Sequence, residues 1–114
     1  MLFRSPTNFI TFALTTDGNK IGLSAHNVVH GVATTLLQDG DFSQYQNPMY
    51  LRLTKTGSAY GAMYSLDGAS WMQAASFTDT EATTGIGPFA SNYNEDPAYA
   101  VPVVMSVNWF DVQQ

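Results

Sequence analysis

The chain has 114 residues and a formal net charge of −5, with 9 acidic and 4 basic side chains. Its length points to one domain with a single core, and its 45 % hydrophobic and 13 % aromatic content describes a globular chain, not a disordered one. The basic residues Arg4, Lys20, Arg52 and Lys55 are scattered, which excludes the clustered cations needed for nucleic-acid or anionic-membrane partners.

Only 11 % of residues are charged, against about 25 % in average domains. The surface must therefore be built from Ser, Thr, Asn, Gln and Gly, as in many secreted β-proteins. Cysteine is absent, which rules out disulfides and thiolate metal sites and leaves the redox compartment open. No apolar run approaches a membrane span, and Met1–Ser5 lacks the charged start and apolar core of a signal peptide.

Residues 1–7 carry no pattern, and Leu2-Phe3-Arg4-Ser5 matches what the end of a common sequencing adapter would encode. They are expected to be a disordered or non-native start, with a single β-domain over 8–114. Asn8–Thr15 alternates, with Ile10, Phe12 and Leu14 on one face. Thr16-Asp17-Gly18-Asn19 is a turn, Lys20–Ser24 a strand, and Val28–Leu37 a β-branched strand interrupted at Gly31. Gln38-Asp39-Gly40-Asp41 turns again, and Phe42–Pro48 reads as an aromatic-bearing loop.

The most legible stretch is Met49–Phe77. It reads as three strands joined by turns at Lys55-Thr56-Gly57-Ser58 and Leu66-Asp67-Gly68-Ala69, each with a glycine where positive φ is cheap. Leu51 and Leu53 alternate with Tyr50, Arg52 and Thr54, and Trp71 opens the third strand. Thr78–Thr83 is a loop, Gly85–Ala90 a short strand, Ser91–Pro102 a long loop, and Val103–Val112 a last strand with Val103, Met105, Val107 and Trp109 on one face. No segment has a 3.6-residue apolar period. Short strands punctuated by Gly and Asp argue for an all-β sandwich or barrel.

Three motifs carry a family resemblance: Tyr50-Leu-Arg-Leu-Thr-Lys-Thr-Gly, Tyr64-Ser-Leu-Asp-Gly-Ala-Ser-Trp71 and Gly87-Pro-Phe-Ala-Ser-Asn92. They resemble the closing half of concanavalin A-like lectin/glucanase domains, in particular accessory domains of secreted bacterial glycoside hydrolases such as the C-terminal domain of β-xylosidases. The family's closing Val-Asp-Tyr-Phe stands here as Val107-Asn108-Trp109-Phe110, so Asn108 replaces an acid. The resemblance runs from Tyr50 to Val112 and is weaker from Asn8 to Phe42. It implies an antiparallel jelly-roll sandwich lacking its opening strands, and a carbohydrate-binding or accessory role.

Catalytic chemistry is poorly provided for. Retaining glycoside hydrolysis needs two carboxyls about 5 Å apart, and Glu81 and Glu95 both fall in predicted loops. No Gly-x-Ser-x-Gly elbow occurs. His26 and His30 are four apart, a zinc spacing on a helix, but the intervening Asn27-Val28-Val29 favours strand or turn. A transition-metal enzyme built on them is the third reading. Asp39 and Asp41 offer oxygen ligands for calcium, although Asp-Gly-Asp is also a good turn.

Aromatic residues give the main functional lead. Sugar rings stack on aromatic faces while polar neighbours bind the hydroxyls. Tyr50, Arg52, Tyr60, Tyr64 and Tyr93 are the carbohydrate-binding set, with Tyr45 and Tyr99 as further aromatics, whereas Trp71 and Trp109 are assigned to the core. Cross-strand aromatics also stabilise sheets without binding anything. The leading expectation is thus a non-catalytic module of a secreted protein that docks a polysaccharide or oligosaccharide on a sheet face. The alternative is a structural domain that forms a homo-oligomer through an open sheet edge.

Overall fold

The computed structural model describes residues 1–91 and 110–113. Among them there is no helix. The strands are β1 (Leu2–Ser5), β2 (Asn8–Thr16), β3 (Ile21–Val29), β4 (Val32–Asp39), β5 (Tyr50–Thr56), β6 (Ala59–Ser65), β7 (Met72–Thr78) and β8 (Gly85–Ile86). They form two antiparallel sheets, one in the order β4-β3-β2-β1-β8 and one in the order β5-β6-β7. The architecture is a β-sandwich of two successive meanders, with β8 returning to the first sheet.

The core follows from strand alternation. Leu2, Ile10, Phe12, Leu23 and Ala25 bury the inner face of the larger sheet, and Tyr60, Ala62 and Tyr64 bury that of the smaller. Phe12, Leu23 and Ala25 cluster with Ala62 and Tyr64, while Leu2 and Ile10 cluster with Tyr60. β6 therefore runs across the larger sheet, its start over β1 and β2 and its end over β3. Tyr60 stacks on Phe77 with centroids 5.0 Å apart, and Tyr64 meets Phe42 edge to face at 5.0 Å.

Several turns form where the sequence predicts them. Asp17 Oδ1 accepts from the backbone N–H groups of Asn19 and Lys20, both at 2.8 Å, closing the β2–β3 turn. Gly57-Ser58 joins β5 to β6 as a two-residue loop. The stretch Val28–Leu37 is not one strand. His30, at φ 51°, and Gly31, at φ 79°, reverse the chain between β3 and β4.

Residues 1–7 are expected from sequence to be a disordered or non-native start; in the structure Leu2–Ser5 are ordered as β1. β1 pairs with β2 and β8, Leu2 and Arg4 are buried, and the Met1 ammonium donates to the carbonyl of Gly87 at 3.0 Å. The pairing follows from Leu2 and Arg4 falling on the inner face, where Leu2 joins Ile10 and Tyr60. Most of the expected strand Val103–Val112, with Trp109, lies outside the described residues; Phe110–Gln113 are described and form no strand.

Candidate functional site

The site is built on the outer face of the three-stranded sheet. β5 pairs with β6 so that Leu51 faces Tyr64, Leu53 faces Ala62, and Arg52 faces Met63. Tyr50 and Arg52 therefore point away from the core, and Tyr60 and Tyr64 point into it. This corrects two of the sequence-derived sugar contacts. Tyr60 is 3 % exposed and Tyr64 8 %, so neither ring offers a face to a ligand. Their hydroxyls are held at Thr83 Oγ1 (3.3 Å) and Gln44 Oε1 (2.8 Å).

Trp71 moves in the opposite direction. Assigned to the core from sequence, it lies half-buried on the outer face, with the guanidinium carbon of Arg52 3.7 Å from its ring centroid. The cause is a β-bulge. β6 and β7 pair as Tyr60 with Phe77 and Ala62 with Ala75, but then as Met63 with Gln73, leaving Ala74 unmatched. The extra residue inverts the alternation, so Phe77 faces the core while Gln73 and Trp71 face outward.

The β6–β7 connection completes the site. Ser65 Oγ, fully buried, donates to Asp67 Oδ1 at 2.9 Å and accepts from the Gly68 N–H at 2.9 Å. Asp67 Oδ1 also accepts from the N–H groups of Ala69 and Ser70, both at 2.8 Å. These bonds, with the backbone N–H of Ser70 foremost, then that of Ala69 and the Ser65 hydroxyl, pull the Asp67 carboxyl down to about 2. Gly68 has φ 77°, and a Cβ there would lie 3.3 Å from the Tyr50 ring. Glycine thus lets Tyr50 pack flat against the turn.

Tyr50, Arg52, Asp67, Gly68 and Trp71 together line a shallow, open depression of about 430 Å³. It offers two aromatic rings, a planar cation and a fixed anion. Comparison with protein-family models, curated proteins and solved structures finds no match to this chain. The site is therefore read from its own chemistry.

The remaining sequence-derived residues are not brought together here. Tyr45 is exposed in the loop before β5, and Tyr93 and Tyr99 lie outside the described residues. His26 sits on β3 opposite Thr11 and Thr35, while His30 is in the next turn, its N–H donating to Asn8 Oδ1. Four residues of strand span about 13 Å, too far for one metal ion. Asp39 Oδ1 accepts from the Asp41 N–H at 3.1 Å, and Asp41 Oδ2 pairs with Lys20 Nζ at 2.7 Å. These carboxylates close a turn and bind a lysine. Among the described residues no group of three His, Cys, Asp or Glu side chains could hold a metal.

Sequence reading missed Trp71, Asp67 and Gly68 as site residues. The available signal was turn chemistry: Ser65-Leu-Asp-Gly reads as a self-bonded Asx loop that must lie beside whatever opens the next strand.

Proposed function

We propose that this domain is a non-catalytic carbohydrate-binding module of a secreted protein, docking a glycan on the outer face of its three-stranded sheet. The observation that carries the reading is the Arg52–Trp71 stack beside Tyr50 and Asp67 on an open surface. A sugar needs an apolar ring surface together with in-plane donors and acceptors, and this cluster sets two aromatic rings, a guanidinium and a carboxylate around one open depression. Tyr50, Arg52, Asp67, Gly68 and Trp71, which line the depression, all fall within the motifs that carry the concanavalin A-like resemblance, and that coincidence supports a ligand-binding reading of those motifs. Affinity gel electrophoresis against a polysaccharide panel tests this. Retardation by at least one polysaccharide, lost in Trp71→Ala, is the expected result, and no retardation by any of them rejects the reading.

A second reading, self-association through a sheet edge, is favoured by β4. This eight-residue strand ends its sheet among the described residues, has no charge before Asp39, and leaves Val32 69 % exposed. Sedimentation at increasing concentration tests it; a monomer throughout removes it.

A further inference from the structure

The depression contains more than aromatic surface. Arg52 and Asp67 both line it, yet among the described residues the two ion pairs are Arg4–Asp79 and Lys20–Asp41. The two charges at the site are therefore not joined to each other. Resting on the carbohydrate-binding reading above, we propose that the site selects neutral sugars with adjacent hydroxyls and rejects acidic ones such as uronates.

The argument starts with Arg52. Its guanidinium carbon lies 3.7 Å from the Trp71 centroid, so one face of the cation is covered and its donors are directed by the stack. A planar fork held this way suits two neighbouring oxygens. That alone would serve a diol or a carboxylate equally well.

Asp67 decides between them. Its carboxyl is held at about 2 by the Ser70 and Ala69 N–H groups and the Ser65 hydroxyl, so it is an anion at any ordinary pH. The Ser65 hydroxyl and the Ala69 and Ser70 N–H groups all bond Oδ1, the Ser70 hydroxyl also lies against the carboxylate, and the inference assigns Oδ2 to the ligand. A sugar hydroxyl can donate to Oδ2 while its neighbour accepts from Arg52. A ligand carboxylate can only accept, and it would stand beside a fixed like charge. The chain's net charge of −5 adds repulsion of the same sign.

The test compares sugars that differ in charge but share a backbone. Wild-type protein is titrated with polygalacturonate, with its fully methyl-esterified form, and with a set of neutral glucans, xylans, mannans and galactans. At least tenfold tighter binding to one or more neutral polymers than to polygalacturonate is expected. Equal or tighter binding of the uronate overturns the inference while leaving the carbohydrate-binding reading intact. No binding by any polymer overturns both. Asp67→Asn keeps an Oδ1 acceptor for the turn and removes the charge; with the thermal melt confirming a folded chain, it should bind neutral sugars at least tenfold more weakly and narrow the gap to the uronate. Arg52→Lys keeps the positive charge but loses the stacked fork, and should lose neutral-sugar binding to a similar extent. Unchanged affinity in both variants removes the assigned roles.

Discussion

Arg4 and Asp79 form an ion pair of 3.0 Å between side chains only 3 % and 8 % exposed. Asn27 Nδ2 donates to the same Asp79 oxygen at 2.7 Å, and the Glu81 N–H donates to Oδ1 at 2.8 Å. Nε and Nη2 of Arg4 are buried with no hydrogen-bond partner among the described residues. The pair ties β1 and β3 to the segment after β7, and it is only partly satisfied. Removing one partner leaves a buried charge, so Asp79→Ala should cost about 3–5 kcal/mol of stability. Joint replacement by Arg4→Met and Asp79→Leu should cost far less, because no uncompensated charge remains. Chemical denaturation of both variants measures this, and equal losses would contradict it.

The same pair sets an acid limit. Burial pushes the Asp79 carboxyl up, but the Glu81 N–H, the Asn27 amide and the Arg4 guanidinium outweigh it, and the net effect lies below the usual value. A group depressed in the folded state contributes stability above its unfolded value, which is lost as pH falls through the folded one. Stability should therefore hold from neutral pH to about 5 and decline below about 4. In Asp79→Asn this part of the acid decline should be smaller, as read from melting temperature against pH.

Two glycine positions separate turn strain from site geometry. Gly57 has φ 61° with open space around it, whereas Gly68 has φ 77° with the Tyr50 ring 3.3 Å from where a Cβ would sit. Alanine at either should cost about 1–2 kcal/mol for the left-handed backbone. Only Gly68→Ala also displaces Tyr50, so it alone should weaken glycan binding. If Gly57→Ala weakens binding as much, the site depends on global stability and not on the Tyr50–Gly68 contact.

Trp71 and Tyr64 provide a matched contrast. Tyr64, 8 % exposed in the core, should cost about 3–5 kcal/mol on truncation to alanine. Trp71 is half-buried on the outer face and stacked with Arg52, so Trp71→Ala should cost about 1 kcal/mol while abolishing binding. Parallel denaturation curves decide it; a larger loss for Trp71 than for Tyr64 would return the indole to the core.

Asp67 makes a separate pH statement. Held at about 2 by the Ser70 and Ala69 N–H groups and the Ser65 hydroxyl, it stays charged as pH falls from 7 to 4, and its contribution is lost only as pH drops through that low value. Glycan affinity at pH 4 and pH 7 should agree within about twofold. A steep loss between those values would mean that a different group controls the site.

Strand alternation and turn chemistry were enough to read the all-β class, the turns at Asp17-Gly18, Gly57-Ser58 and Asp67-Gly68, and the burial of Ile10 and Phe12. The sequence also contained the answer for Tyr60 and Tyr64. A two-residue hairpin loop at Gly57-Ser58 fixes the register of β5 against β6, and that register places both tyrosines on the Leu51 and Leu53 face. Residues 1–7 were not legible because one short strand carries too little pattern; pairing with β2 and the ion pair across the sandwich define β1. Trp71 could only be placed by the tertiary structure. Simple alternation from Phe77 through Ala75 and Gln73 puts it in the core. The unmatched Ala74 shifts the pairing by one residue, and a one-residue shift in a strand with a two-residue period exchanges its faces. That bulge sets Trp71 under Arg52, and with it the site.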